Sequence, residues 1–339
     1  MRDHSSATGP DAEPLSPRYV GPAWGLLGVL AFSFTMPLTK VAVADAGFTA
    51  LFVAAGRAVV AGILAAGALM LTKQRWPRGR QWVRLGVVAG GVVAGFPLLT
   101  SFALTEASAG HSAVVIALLP AATAALAVLR GHEQPPRAFW LAAAAGAVAS
   151  AVFAGFRGGD FGGPHWSDLL LLGAVIAAAC GYAEGGLLAR ELGAWQTISW
   201  ALVLSAPVMV VLTGISVAQQ PPTGSPAQWA AFAYLGLVSM YLGFLPWYRG
   251  LAVGPMTQVS QVQLAQPIFT LGWAALILNE EPTWATALGA VAVIGCAASA
   301  VRTRGRRSPV SGRPHSEYRP RTARAESTGE AQAARTSSP

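Results

Sequence analysis

Long apolar runs, separated by short polar or charged segments, are the dominant pattern along the chain. A run of about 20 apolar residues, rising about 1.5 Å per residue as a helix, crosses the hydrocarbon of a bilayer. A helix satisfies its own backbone in lipid, so each such run is predicted to be a helix. The pattern predicts ten transmembrane spans, at 22–43, 47–71, 82–102, 111–130, 137–155, 167–188, 197–218, 228–249, 257–278 and 283–301.

Composition agrees with a chain embedded in a membrane. Hydrophobic residues make up 53% of the 339 positions and charged residues only 11%, against about 25% charged residues in soluble domains. This excludes two soluble domains, and it also excludes a disordered chain, which needs low hydrophobicity. The two cysteines, Cys180 and Cys296, are too few for a disulfide scaffold. We therefore expect an integral membrane protein in direct contact with lipid.

The positions of Lys and Arg predict the orientation of the spans, because cytoplasmic loops are enriched in both. The segment 72–84 contains no acidic residue but several basic ones: Lys73, Arg75, Arg78, Arg80 and Arg84. We expect this segment on the cytoplasmic side of the plasma membrane, and with ten spans both termini lie there too. Residues 302–339 include nine arginines and three glutamates. We interpret them as a basic, disordered cytoplasmic tail, and we expect no nucleic-acid partner.

An internal duplication relates the two halves of the chain. A shift of 147 residues brings four residues onto identical ones: Leu104 onto Leu251, Pro120 onto Pro267, Glu133 onto Glu280 and Pro135 onto Pro282. Each half then contains five predicted spans. Because five is odd, the second copy enters the membrane in the opposite orientation. This is the inverted-repeat arrangement of secondary transporters, whose site lies between the repeats.

The residues in register resemble a known family motif. The segments FALTEASAGHSAVVIALLPAATAALAVLRGHEQPP and YRGLAVGPMTQVSQVQLAQPIFTLGWAALILNEEPT each place a proline 13 residues before a glutamate. The first span contains AFSFTMPLTK, which ends on Lys40, and the second contains FVAAGRAVVAG with Arg57. On these motifs, residues 22–301 resemble the EamA-like branch of the drug/metabolite transporter superfamily. The resemblance implies an all-α membrane protein with ten transmembrane helices, arranged as two inverted five-helix repeats.

The resemblance also implies a function. We expect a secondary active transporter that moves a small organic metabolite, amino-acid-like or drug-like, by alternating access in proton-coupled export. A facilitative or uptake carrier is the first alternative, and a membrane-embedded enzyme or a non-transporting sensor is the alternative from another class. No Walker A, HExxH or GxSxG sequence is present. We therefore expect no ATP motor, no enzyme, no cofactor and no metal, and we leave open whether the chain forms a homodimer.

These observations divide the chain into five segments. Both ends are charged and solvated, whereas each repeat consists of five apolar spans. A short stretch between the fifth and sixth spans is expected on the outer side. The predicted segments are an N-terminal tail 1–21, a first repeat 22–155, an outer linker 156–166, a second repeat 167–301 and a C-terminal tail 302–339.

Charged residues inside the spans are the first candidates for a transport site, because a charge at the centre of a membrane helix costs at least about 2.5–3.5 kcal/mol. We assign Arg57 to the substrate pathway, with capping of carbonyl groups as the alternative. Lys40 is a candidate gating residue, or it extends to the outer headgroups. Glu184 is the candidate proton-coupling carboxylate, and an ion pair with Arg190 is its alternative.

The ninth span is unusually polar before its proline. At about 100° per residue, Gln258 and Gln261 share one helix face, which we assign to the substrate pathway. Gln263 and Gln266 point elsewhere and are expected to hydrogen-bond neighbouring helices. His111 is the repeat counterpart of Gln258 and is a candidate proton or substrate contact, with a solvated loop residue as the alternative.

Aromatic, proline and glycine residues complete the candidates. Tyr182 and Tyr241 are assigned to the substrate pathway, where a ring could stack on an aromatic substrate; helix packing and interfacial anchoring are the alternatives. Pro120 and Pro267 are candidate gating hinges. Two pairs of small residues predict close packing between helices: Gly86 with Gly90 and Gly91 with Gly95.

Overall fold

The structure is a computed structural model, and it describes residues 17–131, 137–157, 160–161, 165–254, 259, 262–281 and 283–305. Helices make up almost all of these residues, so the predicted helical membrane fold is confirmed. A two-residue antiparallel pairing joins β1 (Phe156–Arg157) to β2 (Asp160–Phe161) in the linker between the repeats. The helices are α1 (Pro17–Ser33), α2 (Thr35–Val43), α3 (Ala50–Leu71), α4 (Arg80–Val88), α5 (Phe96–Glu106), α6 (Ala109–Ile116), α7 (Leu119–Gly131), α8 (Arg137–Gly155), α9 (Trp166–Leu192), α10 (Ala194–Gln219), α11 (Pro226–Tyr234), α12 (Phe244–Val253), α13 (Gln266–Leu278) and α14 (Trp284–Gly305).

Helical residues occur within every predicted span. By length and composition, seven stretches of the described residues are able to cross a membrane: Val20–Val43, Ala50–Leu71, Arg80–Glu106, Ala109–Leu126, Trp166–Leu192, Ala194–Gln219 and Pro226–Val253. Two further apolar helices, Gln263–Leu278 and Thr286–Cys296, are shorter. The count of ten spans therefore stays a prediction. Large apolar side chains such as Ile63, Val208 and Leu276 point outward, as a lipid-facing surface requires.

Hydroxyl side chains begin several helices by accepting hydrogen bonds from amide groups that have no partner within the helix. The Thr49 hydroxyl accepts from the Phe52 amide at the start of α3, and the Ser108 hydroxyl accepts from the His111 amide at the start of α6. Ser225 and Gln228 form a reciprocal capping box at the start of α11. These caps fix the residues at which α3, α6 and α11 begin.

Irregular segments recur at equivalent positions of the two repeats. A π-helical segment covers Ala89–Gly95 in the third span, and another covers Leu235–Leu242 in the eighth. The fourth span breaks between α6 and α7, and the ninth contains a 3-10 turn at Gln263–Ala265, again 147 residues later. π-Helical segments inside α-helices are often found at functional sites. The duplication is therefore visible in the backbone, including breaks that regular spans would lack.

The packing of the helices follows the same two-fold pattern. The second, fourth and fifth spans each contact their own counterparts: α3 packs on α10, α6 on α13 and α8 on α14. The first span contacts the eighth through α1 and α12, and the third contacts the sixth through α5 and α9. If the two repeats are exchanged, the contact between the first and eighth spans becomes the contact between the sixth and third spans. This second set of contacts is therefore unchanged by the exchange. Such a pattern is expected of two repeats related by a pseudo-two-fold axis.

Only one of the two predicted glycine pairs packs closely. A methyl group on Gly91 would overlap the Ala177 carbonyl of α9, and one on Gly95 would lie 2.9 Å from the Ala177 side chain. A methyl group on Gly86 or Gly90 would meet no other helix within 4 Å, so the prediction is wrong for that pair. The small-residue spacing alone did not indicate which face of the third span meets a neighbouring helix.

Candidate functional site

A small cavity of about 20 Å³, with room for about one water molecule, lies between the two repeats. Mainly apolar walls with a few polar groups are typical of small-molecule sites. The rings of Phe32, Phe96, Tyr182 and Phe244 line this central cavity, and Arg57 is the charged residue of its wall among the described residues. In this conformation the wall is closed, and a molecule with an apolar body would enter only after the two repeats move apart.

Three pairs of lining residues occupy equivalent positions of the two repeats. Each pair is separated by the repeat shift of 147 residues, and all six residues line the central cavity: Thr35 and Tyr182, Val92 and Ser239, Leu119 and Gln266. Val92 and Ser239 also lie in the two π-helical segments. The central cavity therefore lies where the two repeats meet, as the duplication predicts.

Arg57 breaks this symmetry. Its equivalent in the second repeat, 147 residues later, is Leu204, a residue of the outward-facing surface with 38% exposure. Arg57 itself is 1% exposed, and neither its Nε nor its Nη1 has a hydrogen-bond partner among the described residues. It also forms no ion pair within that part of the chain. The capping alternative is therefore not observed for these two nitrogens, and a buried guanidinium faces the cavity with unused donors.

Polar groups near Arg57 supply further hydrogen-bonding capacity. The Thr35 and Ser239 hydroxyls lie 2.8 Å apart across the repeat boundary. The Gln266 side chain is buried, and its Oε1 has no hydrogen-bond partner within the described chain. A buried polar atom without a partner costs about 1–3 kcal/mol, and a polar molecule bound to Gln266 Oε1 or to the Arg57 nitrogens would offset that cost.

The prediction that Gln263 and Gln266 hydrogen-bond neighbouring helices is wrong. Neither Nε2 nor Oε1 of Gln263 bonds a described neighbouring helix, and the residue lines a second small cavity of about 10 Å³. Gln266 lines both cavities. The reason is the 3-10 turn at Gln263–Ala265, because it interrupts the constant angle per residue on which the expectation depended. Pro120 and Pro267 line the second cavity.

Glu280 joins the two repeats on the side of the cavities that we call the acidic face, defined by Glu106, Asp168, Glu280 and Glu281. Lys40 joins two spans of the first repeat. The two oxygens of Glu280 each accept a 2.9 Å hydrogen bond, from the amides of Ala109 and Gly110 at the start of α6. The Lys40 ammonium donates a 2.9 Å hydrogen bond to the Leu104 carbonyl. Glu280 thus caps a helix of the opposite repeat, where a negative charge is favourable.

His111 also joins the repeats at the acidic face. Its Nε2 lies 2.6 Å from Oδ1 of Asp168, and its side chain is only 11% exposed. The second Asp168 oxygen accepts a 2.9 Å hydrogen bond from the His165 amide, which fixes the carboxylate at the start of α9. His165 and Glu106 form a more exposed pair nearby, at 3.2 Å. His111 is therefore a buried inter-repeat contact rather than a solvated loop residue.

An ion pair closes the opposite side, which we call the basic face because it contains the basic segment 72–84. Arg84 pairs with Glu184, which is 3% exposed, and with the more exposed Glu191 on the same helix. Glu184 thus has a partner on another span, and the alternative of a pair with Arg190 is wrong. The Arg190 side chain donates to the Leu251 carbonyl at 3.4 Å. The i+6 spacing places Glu184 and Arg190 on different sides of α9.

The aromatic candidates separate into two groups. Tyr182 lines the central cavity, where its ring packs 5.3 Å from that of Trp247. The Tyr241 hydroxyl lies 3.1 Å from the Ser199 hydroxyl and joins two helices of the second repeat. Tyr248 likewise donates to the Gly181 carbonyl. In this conformation Tyr241 therefore packs between helices, which was the alternative to a place in the substrate pathway.

Of the predicted site residues, Arg57 and Tyr182 meet in the central cavity, whereas Lys40, His111 and Glu184 lie in contacts to either side. Gln258 and Gln261 fall outside the described residues. Sequence reasoning missed Thr35, Ser239 and Gln266. The signal that could have found one of them is the repeat itself, because a shift of 147 residues pairs the candidate Tyr182 with Thr35. Among described residues, no three His, Cys, Asp or Glu side chains group to hold a metal.

Comparisons with known proteins agree with the repeats. The model of the EamA-like transporter family matches residues 20–155 and again residues 165–301. An uncharacterized transporter of Bacillus subtilis, YdeK, is 46% identical over 279 residues, which cover 82% of this chain and 96% of that protein. An uncharacterized transporter of Archaeoglobus fulgidus is 23% identical over 221 residues, 64% of this chain and 75% of that one. A crystal structure with 18% identity has the same fold, with a TM-score of 0.61 over 85% of this chain and 99% of its own.

Proposed function

Because the chain belongs to the EamA-like transporter family, a transporter family rather than an enzyme family, we propose that it is a secondary active transporter that exports a small organic metabolite by alternating access. The observation that carries this proposal is the central cavity, which is lined by equivalent residues of both repeats and bridged by inter-repeat contacts on both sides. A site between inverted repeats is the arrangement that alternating access requires.

Each side of the cavity has its own set of contacts to release. Opening the acidic face requires Glu280 to leave the start of α6 and His111 to separate from Asp168. Opening the basic face requires Arg84 to separate from Glu184. Pro120 and Pro267 follow the breaks of the fourth and ninth spans, where missing backbone hydrogen bonds allow the half-helices to bend. We assign the two prolines to hinges and Lys40 to the acidic-face gate.

Proton coupling through Glu184 gives these motions a driving force. A proton on the buried carboxylate removes its negative charge and weakens the pair with Arg84, so the basic face opens in the protonated state. His111 is the second titratable group in a gate, and its protonation strengthens the pair with Asp168. Glu184 lies outside the wall of the central cavity, so this coupling acts through the gate rather than by direct competition with substrate.

Orientation and location follow from charge. The basic segment 72–84 favours a cytoplasmic position, so export runs from the basic face to the acidic face across the plasma membrane, with both termini cytoplasmic. Residues 22–155 and 167–301 act as the two moving units, joined by the linker 156–166. The tails at 1–21 and 302–339 have no part in the transport cycle in this proposal.

Flux measurements in sealed proteoliposomes test the proposal. A panel of small metabolites is assayed with and without a pH gradient, using the full chain. Glu184→Gln should abolish gradient-driven flux while substrate exchange continues, because the variant imitates a permanently protonated carboxylate. Glu191→Gln is the matched control, since Glu191 also pairs with Arg84 but is 46% exposed. A wild-type flux that is the same with and without the pH gradient would contradict proton coupling. The absence of any metabolite flux would overturn the transport proposal.

A facilitative carrier is the second candidate. It is favoured by the position of Glu184, which is engaged in a gate and does not contact the cavity. Such a carrier would equilibrate its substrate at the same rate with either direction of the gradient. The same proteoliposome assay therefore separates the two candidates without a further variant.

A further inference from the structure

We propose that Arg57 is an anion-binding subsite in the central cavity, and that the substrate is a small organic anion with one compact acidic group, such as a carboxylate, on an apolar body. This inference rests on the proposed transport function but concerns the chemistry of the site. It starts from the buried guanidinium, whose Nε and Nη1 lack partners in the described part of the chain.

The chemistry of arginine determines what can satisfy these nitrogens. A guanidinium remains protonated inside proteins and donates hydrogen bonds without accepting any. The missing partner must therefore be an acceptor. In a low-dielectric interior, an acceptor that also carries negative charge compensates the cation far better than a neutral one, and carboxylates match the planar donor geometry of arginine.

Among the described residues, the carboxylates that are buried or form gates already have other partners. Glu184 pairs with Arg84 at the basic face. Asp168 pairs with His111 and accepts from a backbone amide. Glu280 accepts from two amides of α6. With these groups engaged elsewhere, the anion that completes Arg57 in this conformation is expected to come from outside the protein.

The other residues of the cavity wall indicate the chemistry of the part of the substrate that does not contact Arg57. The rings of Phe32, Phe96, Tyr182 and Phe244 surround the cavity and favour a flat apolar body. The Gln266 amide is within the same wall and offers one further polar contact. The cavity is closed to about 20 Å³ in this conformation, so the substrate binds to the same wall after the two repeats move apart.

Because the site is asymmetric, the substrate is expected to bind in one orientation. Because the equivalent of Arg57 is the outward-facing Leu204, the cation of the cavity wall among the described residues lies on the α3 side. A molecule with one acidic end therefore binds with that end towards α3. A molecule with two separated acidic groups would leave one of them in the apolar half of the wall, so monoanions are preferred over such dianions.

Binding of matched acid and amide probes tests the assignment. The full chain is placed in nanodiscs of zwitterionic lipid, and titration calorimetry compares phenylacetate and indole-3-acetate with phenylacetamide and indole-3-acetamide. We expect each acid to bind at least about tenfold more tightly than its amide, the effect of one charged hydrogen-bonding partner. Arg57→Gln should remove this preference, and Arg57→Lys should retain part of it. Lys73→Gln is the control, since it removes an exposed positive charge far from the cavity wall.

Thermal unfolding of the unliganded variants provides a second readout. Arg57→Gln should raise the unfolding temperature, because it removes a buried charge without a partner, whereas a structural role for Arg57 predicts a lower temperature. Equal affinity for acids and amides, an unchanged preference in Arg57→Gln, or no binding of either acid would overturn the assignment. Loss of acid binding when phosphatidylglycerol is added would identify a lipid headgroup as the occupant and would also overturn it.

The two proposals fail in different ways. If the protein binds acids selectively but shows no flux in proteoliposomes, the anion subsite is supported and the transport function is overturned. If the gradient drives flux of neutral metabolites with no preference for acids, the transport function is supported and the subsite is overturned.

Discussion

Arg84 of α4 and Glu184 of α9 form an ion pair although 100 residues separate them in the sequence. The pair joins the third span of the first repeat to the first span of the second. Arg84 is partly exposed, whereas Glu184 is almost fully buried, so the arginine brings charge compensation to a carboxylate that water does not reach. The basic face therefore includes a contact that is both structural and, in the proposed mechanism, switchable.

Arg84→Gln should lower the free energy of unfolding by about 1–3 kcal/mol, because it leaves the Glu184 carboxylate buried without its charged partner. The double variant Arg84→Gln/Glu184→Gln should recover part of this loss, since neither charge is then present. Unfolding in detergent micelles, arranged as a double-mutant cycle, measures the coupling. Arg80→Gln, an exposed residue at the start of α4, should change stability by at most about 0.5 kcal/mol. Strictly additive effects of the two single variants would contradict the pair.

Glu280→Gln should loosen the acidic face, because a neutral amide side chain caps the start of α6 more weakly than a carboxylate does. The reporter is Ile116→Cys, which lines the second cavity and is 6% exposed, in a background without Cys180 and Cys296. Labelling of this cysteine by a membrane-impermeant maleimide from the acidic face should become about fivefold faster, which corresponds to about 1 kcal/mol. Glu281→Gln, at the exposed neighbouring residue, should leave the rate unchanged, and equal rates in both variants would remove Glu280 from the gate.

Gly91→Ala should lower the free energy of unfolding by about 1–3 kcal/mol, the cost of overpacking a close contact. The added methyl would overlap the Ala177 carbonyl, a backbone atom that cannot move away without displacing α9. Gly90→Ala is the matched control, because that position is open and alanine is the better helix former. Its stability should be unchanged or higher by up to about 1 kcal/mol. Similar effects of the two substitutions would show that the third and sixth spans do not pack through Gly91.

Much of the fold could be predicted because its signals run along the chain. The apolar runs predicted the helices, and the register of Pro120 with Pro267 predicted a duplication that also appears in the breaks of the two spans. The site was predicted only in part. Arg57 and Tyr182 were identified one residue at a time, because charge and aromaticity within a span are unusual in themselves. Gln266 was assigned to the wrong partners, because a 3-10 turn changes the direction in which the helix points its side chains.

The sequence by itself determined that this chain is a helical membrane protein of two repeats, since hydropathy, charge bias and a 147-residue register are properties of residue order. Only the tertiary structure decided what the charged residues contact. Glu184 meets Arg84, Glu280 caps α6, and Arg57 faces a cavity without a described partner. These outcomes depend on which helices pack together and how each is rotated. One break in a span changes that rotation while leaving the hydrophobic pattern the same.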